Sequence, residues 1–382
     1  MNNIFYTGLD KTTITDFTII SIDFEKLKSQ ADKVTIYYTS SQNVTTSALD
    51  EKTNERVYFS YIGIQDNYLF SDLKIGAAQI RGTWINYESL SMFNRQTGQN
   101  NLIPLTMAAY KKSLKDTTDY IYSVYGIKID TTNAKFQQLE YNLTVNTNQS
   151  FAFYERFLTL LCKLAPARLK DATSYSKEKA YTGNTLKNKT ILYKFYDKST
   201  QLNKKYNLEL QKHWLRIELS ITNENKDAKQ TMEKYLGSAK IAEITDAALK
   251  KMFVTMFKRD FLTPFEKYLV QAQKDTYKIL KSAKAQYKKN YLVYGINELM
   301  KQEIDRQIPP CFSYSMFIKQ VDKLEKGNSN KAKLIKTAEK HIPEAWKDEE
   351  LRADVIIQAI NDMEKKKPLT LTQILEMRKI NN

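Results

Sequence analysis

A chain of 382 residues, 42% hydrophobic and 27% charged, holds apolar material for two or three domains that each bury a core. Its 59 Lys and Arg against 43 Asp and Glu, a formal net charge of +16, together with 25 Tyr and 17 Phe, point to a polyanionic partner, nucleic acid ahead of a membrane surface. Two Cys (Cys162, Cys311) and two His (His213, His341) exclude a disulfide framework, a zinc cluster and a His-rich metal motif, and 10 Gly without a G-x-x-x-x-G-K-[ST] run argue against a P-loop nucleotidase.

The opening MNNIFYTGLDKTTITDF has neither a basic n-region nor an apolar h-region, so no signal peptide is expected. No later apolar run approaches ~18 residues, so no membrane span is expected and a reducing cytosol fits. Alternating β-branched and polar residues predict strands over 15–24, 33–41, 55–64 and 72–85. Leu114, Ile121 and Val124 set the spacing of a helix over 107–127, with Gly126 placed to end it. A strand follows at 137–147, then a helix over 151–165 stopped by Pro166. Strands at 189–199 and 213–222 flank a polar connection with a helical turn. From 226 onward the pattern is helical: 243–261 and 265–308 carry a 3.6-residue period, punctuated by Pro264, Pro309 and Pro310. KGNSNKAK at 326–333 reads as a turn followed by basic residues, and two short helices split by Pro368 follow. The predicted organisation is an α+β, strand-rich domain over 1–225 and a mainly helical, basic domain over 226–382. The helical part is the denser in positive charge, with 31 basic and 21 acidic residues against 28 and 22 before it.

Three strands carry the chemistry. Successive side chains of a strand point to opposite faces. In 191–198 the first face holds Ile191, Tyr193, Phe195 and Asp197, the second Leu192, Lys194, Tyr196 and Lys198. In 214–221 Leu215, Ile217, Leu219 and Ile221 form a wholly apolar face, leaving Trp214, Arg216, Glu218 and Ser220 opposite. In 139–146 Leu139, Tyr141, Leu143 and Val145 face a core, and Glu140, Asn142, Thr144 and Asn146 face away. If the strands at 191–198 and 214–221 pair, one sheet face displays a Tyr, two Lys, an Arg and a Glu. A tyrosine oxygen can attack a phosphodiester and hold the phosphate as an ester. With a free pKa of ~10 it needs help to lose its proton. Carboxylates such as Glu140 and Glu218 suit Mg²⁺ or Mn²⁺, which polarises a phosphate, and Lys or Arg can bind flanking phosphates. The same alternation also reads as a packed Tyr beside a solvated polar face.

At these positions the sequence resembles rolling-circle replication initiators of the filamentous-phage gene II and plasmid Rep type. ILYKFYDKS at 191–199 and WLRIELS at 214–220 resemble the family's paired motif, a Tyr-Asp-Lys strand end followed by an Arg-apolar-Glu strand. QQLEYNLTVNT at 137–147 resembles its acidic strand, while IRGTWINYESL and GQNNLIPLT (98–106) resemble a Gly- and Asn-containing segment, and KYLGSAKIAEITDAAL at 234–249 the start of its helical part. The resemblance covers about residues 70–260 and implies Tyr196 as nucleophile, Glu140 and Glu218 as metal ligands, and Lys198 and Arg216 as catalytic helpers, on an antiparallel sheet close to an RNA-recognition fold. It departs from the family at the metal. No His-hydrophobic-His pair occurs, and Gln99 and Asn100 stand where Gly-His-Asn is common. His213 reads as an edge residue.

Beyond Pro264, Lys267, Lys274, Lys278, Lys281, Lys284 and Lys288 fall within about 120° of one helix face, a stripe fit to lie along DNA or simply to be solvated. Lys194, Lys274, Lys278, Lys281 and Lys288 are the DNA-binding candidates. The expected function is a metal-dependent nickase acting at a phage or plasmid origin in a bacterial cytoplasm. It would leave a 3′-OH and a phosphotyrosine, leave unwinding to another protein, for which a host helicase is one candidate, and be compatible with a homodimer. A non-catalytic nucleic-acid-binding protein and a mobilisation relaxase are the alternatives.

Overall fold

The fold comes from a computed structural model that describes residues 5–38, 46–66, 73–78, 82–87, 102–169, 173–174, 183–206, 212–222 and 232–365. The strands are β1 (Phe5–Thr15), β2 (Thr18–Ile22), β3 (Val34–Tyr38), β4 (Thr46–Asp50), β5 (Arg56–Ile64), β6 (Leu73–Ala78), β7 (Gly82–Tyr87), β8 (Ile127–Asp130), β9 (Lys135–Thr147), β10 (Thr173–Ser174), β11 (Gly183–Lys187), β12 (Ile191–Asp197) and β13 (His213–Thr222). The helices are α1 (Phe24–Lys28), α2 (Met107–Tyr125), α3 (Phe151–Leu164), α4 (Lys198–Tyr206), α5 (Asp246–Phe257), α6 (Thr263–Gln286), α7 (Tyr291–Arg306), α8 (Tyr314–Leu324), α9 (Lys331–Glu339), α10 (Glu344–Lys347) and α11 (Glu349–Lys365). The protein is therefore α+β, with a mixed strand and helix part and a helical part. No helix among the described residues is long and apolar enough to cross a membrane.

The residues gather into two compact units, one of Met1–Asn148, Thr173–Val254 and Asp362–Asn382, the other of Gln149–Ala172 and Thr255–Asn361. In the first, the strands form one sheet in the order β10-β11-β12-β13-β9-β1-β7-β6-β5-β4-β2-β8, with β3 on β5. Every pairing is antiparallel except β2 with β4. The apolar faces of β9, β12 and β13 bury Tyr141, Leu143, Tyr193, Phe195, Ile217 and Leu219 as their alternation predicts, and Phe253 of α5 packs on Tyr141 with ring centroids 5.9 Å apart. Helix α2 is capped at both ends. Thr106 Oγ1 accepts from Ala109 N at 3.3 Å, and Gly126, at φ +69°, closes the other end by donating to Tyr122 O.

Four stretches differ from expectation. The strand predicted over 15–24 is the end of β1, then β2 and the start of α1; Asp16 turns the chain at φ 59° and Asp23 caps α1 by accepting from Lys26 N at 2.9 Å. The stretch 72–85 divides into β6 and β7, which pair with each other. Pro264 interrupts nothing: Lys258–Leu262 forms a π-helical turn and Pro264 stands in the first turn of α6, where a missing N–H is tolerated. The long pattern over 265–308 breaks into α6 and α7 because Asn290 turns left-handed at φ 62°. The second of the two final helices, beyond Pro368, lies outside the described residues, as do Gln99 and Asn100.

Candidate active site

The register of β12, β13 and β9 places the polar residues in rows. Lys194 lies opposite Glu218, and Glu218 opposite Asn142; Tyr196 lies opposite Arg216, and Arg216 opposite Thr144; Ser220 lies opposite Glu140. On the outer side of β12, Gly183 of β11 pairs with Tyr196, and a Cβ there would stand 2.8 Å from the Tyr196 Cβ, so only glycine fits beside the tyrosine. The Asp of the Tyr-Asp-Lys motif has a local task. Asp197 accepts from Thr200 N (3.0 Å) and Thr200 Oγ1 (2.7 Å), ending β12 and starting α4. That turn brings Lys198 back over the ring of Tyr196, 5.8 Å from its centroid, with Lys198 Nζ donating to Gln201 Oε1 at 2.6 Å.

The polar groups form one buried network. The Tyr196 hydroxyl donates to Glu218 Oε1 and is hydrogen-bonded by Arg216. Lys194 Nζ bridges Glu140 Oε2 and Glu218 Oε2, at 2.9 Å from each. The fully buried Arg216 donates to Thr144 Oγ1 (2.8 Å) and to the Leu102 carbonyl (2.8 Å), and pairs with Asp10 Oδ2 at 3.3 Å. Burial resists ionisation of Glu218, yet Lys194, Arg216 and the Tyr196 hydrogen bond together hold its pKa below the ordinary carboxylate value. Burial, then the Glu218 charge, push Glu140 up to about 8, against the pull of Lys194. Burial and the Glu218 charge raise Tyr196 well above the ordinary phenol value, against Arg216. The two glutamates thus have opposite tendencies, Glu218 ionised and Glu140 inclined to keep a proton at neutral pH.

Asp10 is the site residue that sequence reasoning missed. The β1–β9 register shifts between Leu9/Tyr141 and Thr12/Leu139, so Asp10 and Lys11 sit in a bulge beside Glu140. Alternation along Tyr6, Gly8 and Asp10 would have placed Asp10 on a polar face, had 5–15 been read as a strand. Its carboxylate, with those of Glu140 and Glu218, offers oxygens that all lie within 4.8 Å of one another. Three hard oxygen donors without His or Cys fit Mg²⁺ or Mn²⁺. Asn142, fully buried in the same rows, has an Nδ2 with no hydrogen-bond partner among the described residues, a donor available to a further oxygen.

Arg216 also carries a stability prediction. Arg216→Ala leaves the Asp10 carboxylate and the Leu102 carbonyl in a buried place without their donor, and is expected to cost ~3–5 kcal/mol in urea unfolding. Arg216→Lys, which lacks the planar fork that reaches all of these acceptors, should recover less than half of that loss.

The remaining candidates lie elsewhere. His213 opens β13 opposite Thr147, away from the carboxylates. In the helical unit Lys274, Lys278 and Lys281 are exposed on α6, and Lys274 and Lys278 line a groove of about 440 Å³ with Tyr277, Gln320 and Lys323. Lys284 is tied to Glu325 at 2.6 Å. Lys288 is not on the α6 face at all, because the helix ends at Gln286.

No protein-family model and no curated protein matches the chain. Among solved structures it is similar to a rolling circle replication initiator protein from Geobacillus stearothermophilus, at 14% identity over 68% of this chain and 86% of that one, with a TM-score of 0.29. A superposition at that level carries neither fold nor function over to this chain.

Proposed function

We propose that the protein is a replication initiator that nicks one DNA strand at a phage or plasmid origin through Tyr196 and later rejoins it. The observation that supports this reading is the tyrosine hydroxyl held between an ionised carboxylate and a guanidinium, beside two further carboxylates. Glu218 Oε1 accepts the phenolic proton. The phenolic oxygen forms a bond to phosphorus while the bond from phosphorus to the 3′ oxygen breaks, and that oxygen leaves as a 3′-OH after taking up a proton. Arg216 holds the developing phenolate and the phosphate it joins. Lys194 neutralises the carboxylate pair and faces the flanking phosphate. Mg²⁺ or Mn²⁺ held by Asp10, Glu140 and Glu218 would neutralise charge on the scissile phosphate. Tyr196 is 3% exposed, so a phosphate reaches its oxygen only after local opening of the site. Rejoining is the reverse attack by a 3′-OH on the phosphotyrosine. The deciding experiment is incubation of the protein with supercoiled, origin-bearing DNA and Mg²⁺, read as a covalent protein–DNA adduct. Binding without any adduct would favour a non-catalytic nucleic-acid-binding protein.

In this reading the strand-rich part cuts and the helical, basic part after residue 225 holds duplex. Replacing Lys274, Lys278 and Lys281 with Gln should flatten the salt dependence of duplex binding by up to about 0.9 per lost phosphate contact on a log–log plot. Nicking of a short single-stranded origin oligonucleotide should be retained. An unchanged slope would make the α6 lysines a solvated face.

A further inference from the structure

The turn between α6 and α7 carries a second, unassigned surface. Tyr287, at the end of α6, and Tyr294, on α7, stack with ring centroids 3.9 Å apart and planes 12° from parallel, yet are 41% and 47% exposed. Aromatic area of that kind is normally drawn into a core, and here it stands on the surface of a basic unit. On the neighbouring side of the same turn is a groove of about 410 Å³ whose rim holds Lys288, Lys289 and Lys333 and whose apolar wall includes Leu292 and Leu334. None of the three ammonium groups has an ion-pair or hydrogen-bond partner among the described residues, although paired lysines stand close by in sequence at Lys284 and Lys331. Positive charge without acidic partners, beside exposed ring faces, is complementary to phosphates followed by unstacked bases. A duplex offers the phosphates but keeps its base faces covered. We propose that the tip of the α6–α7 hairpin is a binding site for a single strand of DNA, with Lys288, Lys289 and Lys333 on phosphates and the Tyr287–Tyr294 pair as a stacking platform. The choice of DNA rests on the nicking reading; the site itself does not.

The test measures anisotropy of a labelled oligo(dT) of about 20 nucleotides, and of a duplex of equal length, with the full chain carrying Tyr196→Phe so that no cleavage enters. The double variant Tyr287→Ala with Tyr294→Ala should weaken oligo(dT) binding roughly tenfold to hundredfold and the duplex by less than about twofold. Tyr287→Phe with Tyr294→Phe should bind like the parent, because the ring face is kept. The triple change of Lys288, Lys289 and Lys333 to Gln should flatten the salt slope for oligo(dT) by about 0.7 per lost contact. Unchanged affinity in the Ala pair, or equal losses in the Ala and Phe pairs, overturns the stacking platform. Equal losses on duplex and single strand overturn the single-strand assignment. The lysine changes are on exposed side chains, so an unchanged slope in that variant overturns the phosphate groove even where the Ala pair fails to fold. Each result is independent of whether Tyr196 nicks DNA.

Discussion

Tyr196→Phe is expected to reduce covalent adduct formation at least ~10⁴-fold, to the level of no nucleophile, while origin binding stays within about twofold. The substitution removes one oxygen and keeps the ring. That ring is buried against Lys198 and beside Gly183, and it fills the same space in either variant. The lost oxygen is the donor to Glu218 and a partner of Arg216, so each keeps its other contacts: Glu218 to Lys194, Arg216 to Thr144, Leu102 and Asp10. Folding should therefore change little, by about 1–3 kcal/mol at most, in either direction. Adducts are read on denaturing gels with end-labelled DNA. If the Phe variant still forms them, another of the 25 Tyr carries the reaction and the reading of the 191–198 strand is wrong.

The contrast between what alternation reveals and what it hides follows from distance along the chain. The faces of 191–198 and 214–221 could be told apart because one side of each is almost wholly apolar; that the opposite, polar side is itself covered, burying Arg216 and Glu218, could not be read from alternation. The row in which Lys194 meets Glu218 and Tyr196 meets Arg216 was not readable, since the register depends on how the intervening connection closes. Asp10 was further out of reach. It stands 130 residues before Glu140 in the chain, on the stretch 5–15 that is not read as a strand, and the bulge that sets it beside Glu140 has no sequence signal of its own. The helical part shows the same limit. Residues 281–290 are good helix formers up to Asn290, so the left-handed turn there leaves no trace in the period. Helix α3 reads as part of the strand-rich region by position, but Phe157 meets Phe265 edge to face with centroids 5.3 Å apart, and 149–172 groups with the helices of 255–361.

Glu218→Gln is expected to lower nicking by about 10²- to 10⁴-fold, because one residue serves as proton acceptor for Tyr196 and as one of three carboxylates able to hold a divalent cation. Glu140→Gln separates those tasks, since Glu140 does not touch the tyrosine. It should lower nicking less, and excess Mn²⁺ should restore part of the loss. The pH dependence gives the sign. With its pKa pushed up to about 8, Glu140 keeps a proton in the fold that the unfolded chain has released, so on this group's account stability is lost as pH rises from the ordinary carboxylate range through 8. A bound cation must displace that proton. Affinity for Mg²⁺ should therefore climb by up to about tenfold per pH unit below 8 and level off above it, and the stabilisation of the fold by Mg²⁺ should grow over the same interval. Isothermal titration and thermal melts at fixed Mg²⁺ between pH 6 and 9 read both quantities without any DNA present. Glu140→Gln should weaken the affinity and flatten the slope, leaving only what the Asp10 carboxyl, itself raised by burial, contributes. A flat profile in the unaltered chain would take Glu140 out of the ligand set, and full nicking in EDTA would take the metal out of the reaction, leaving Lys194 and Arg216 as the cations that face the phosphate.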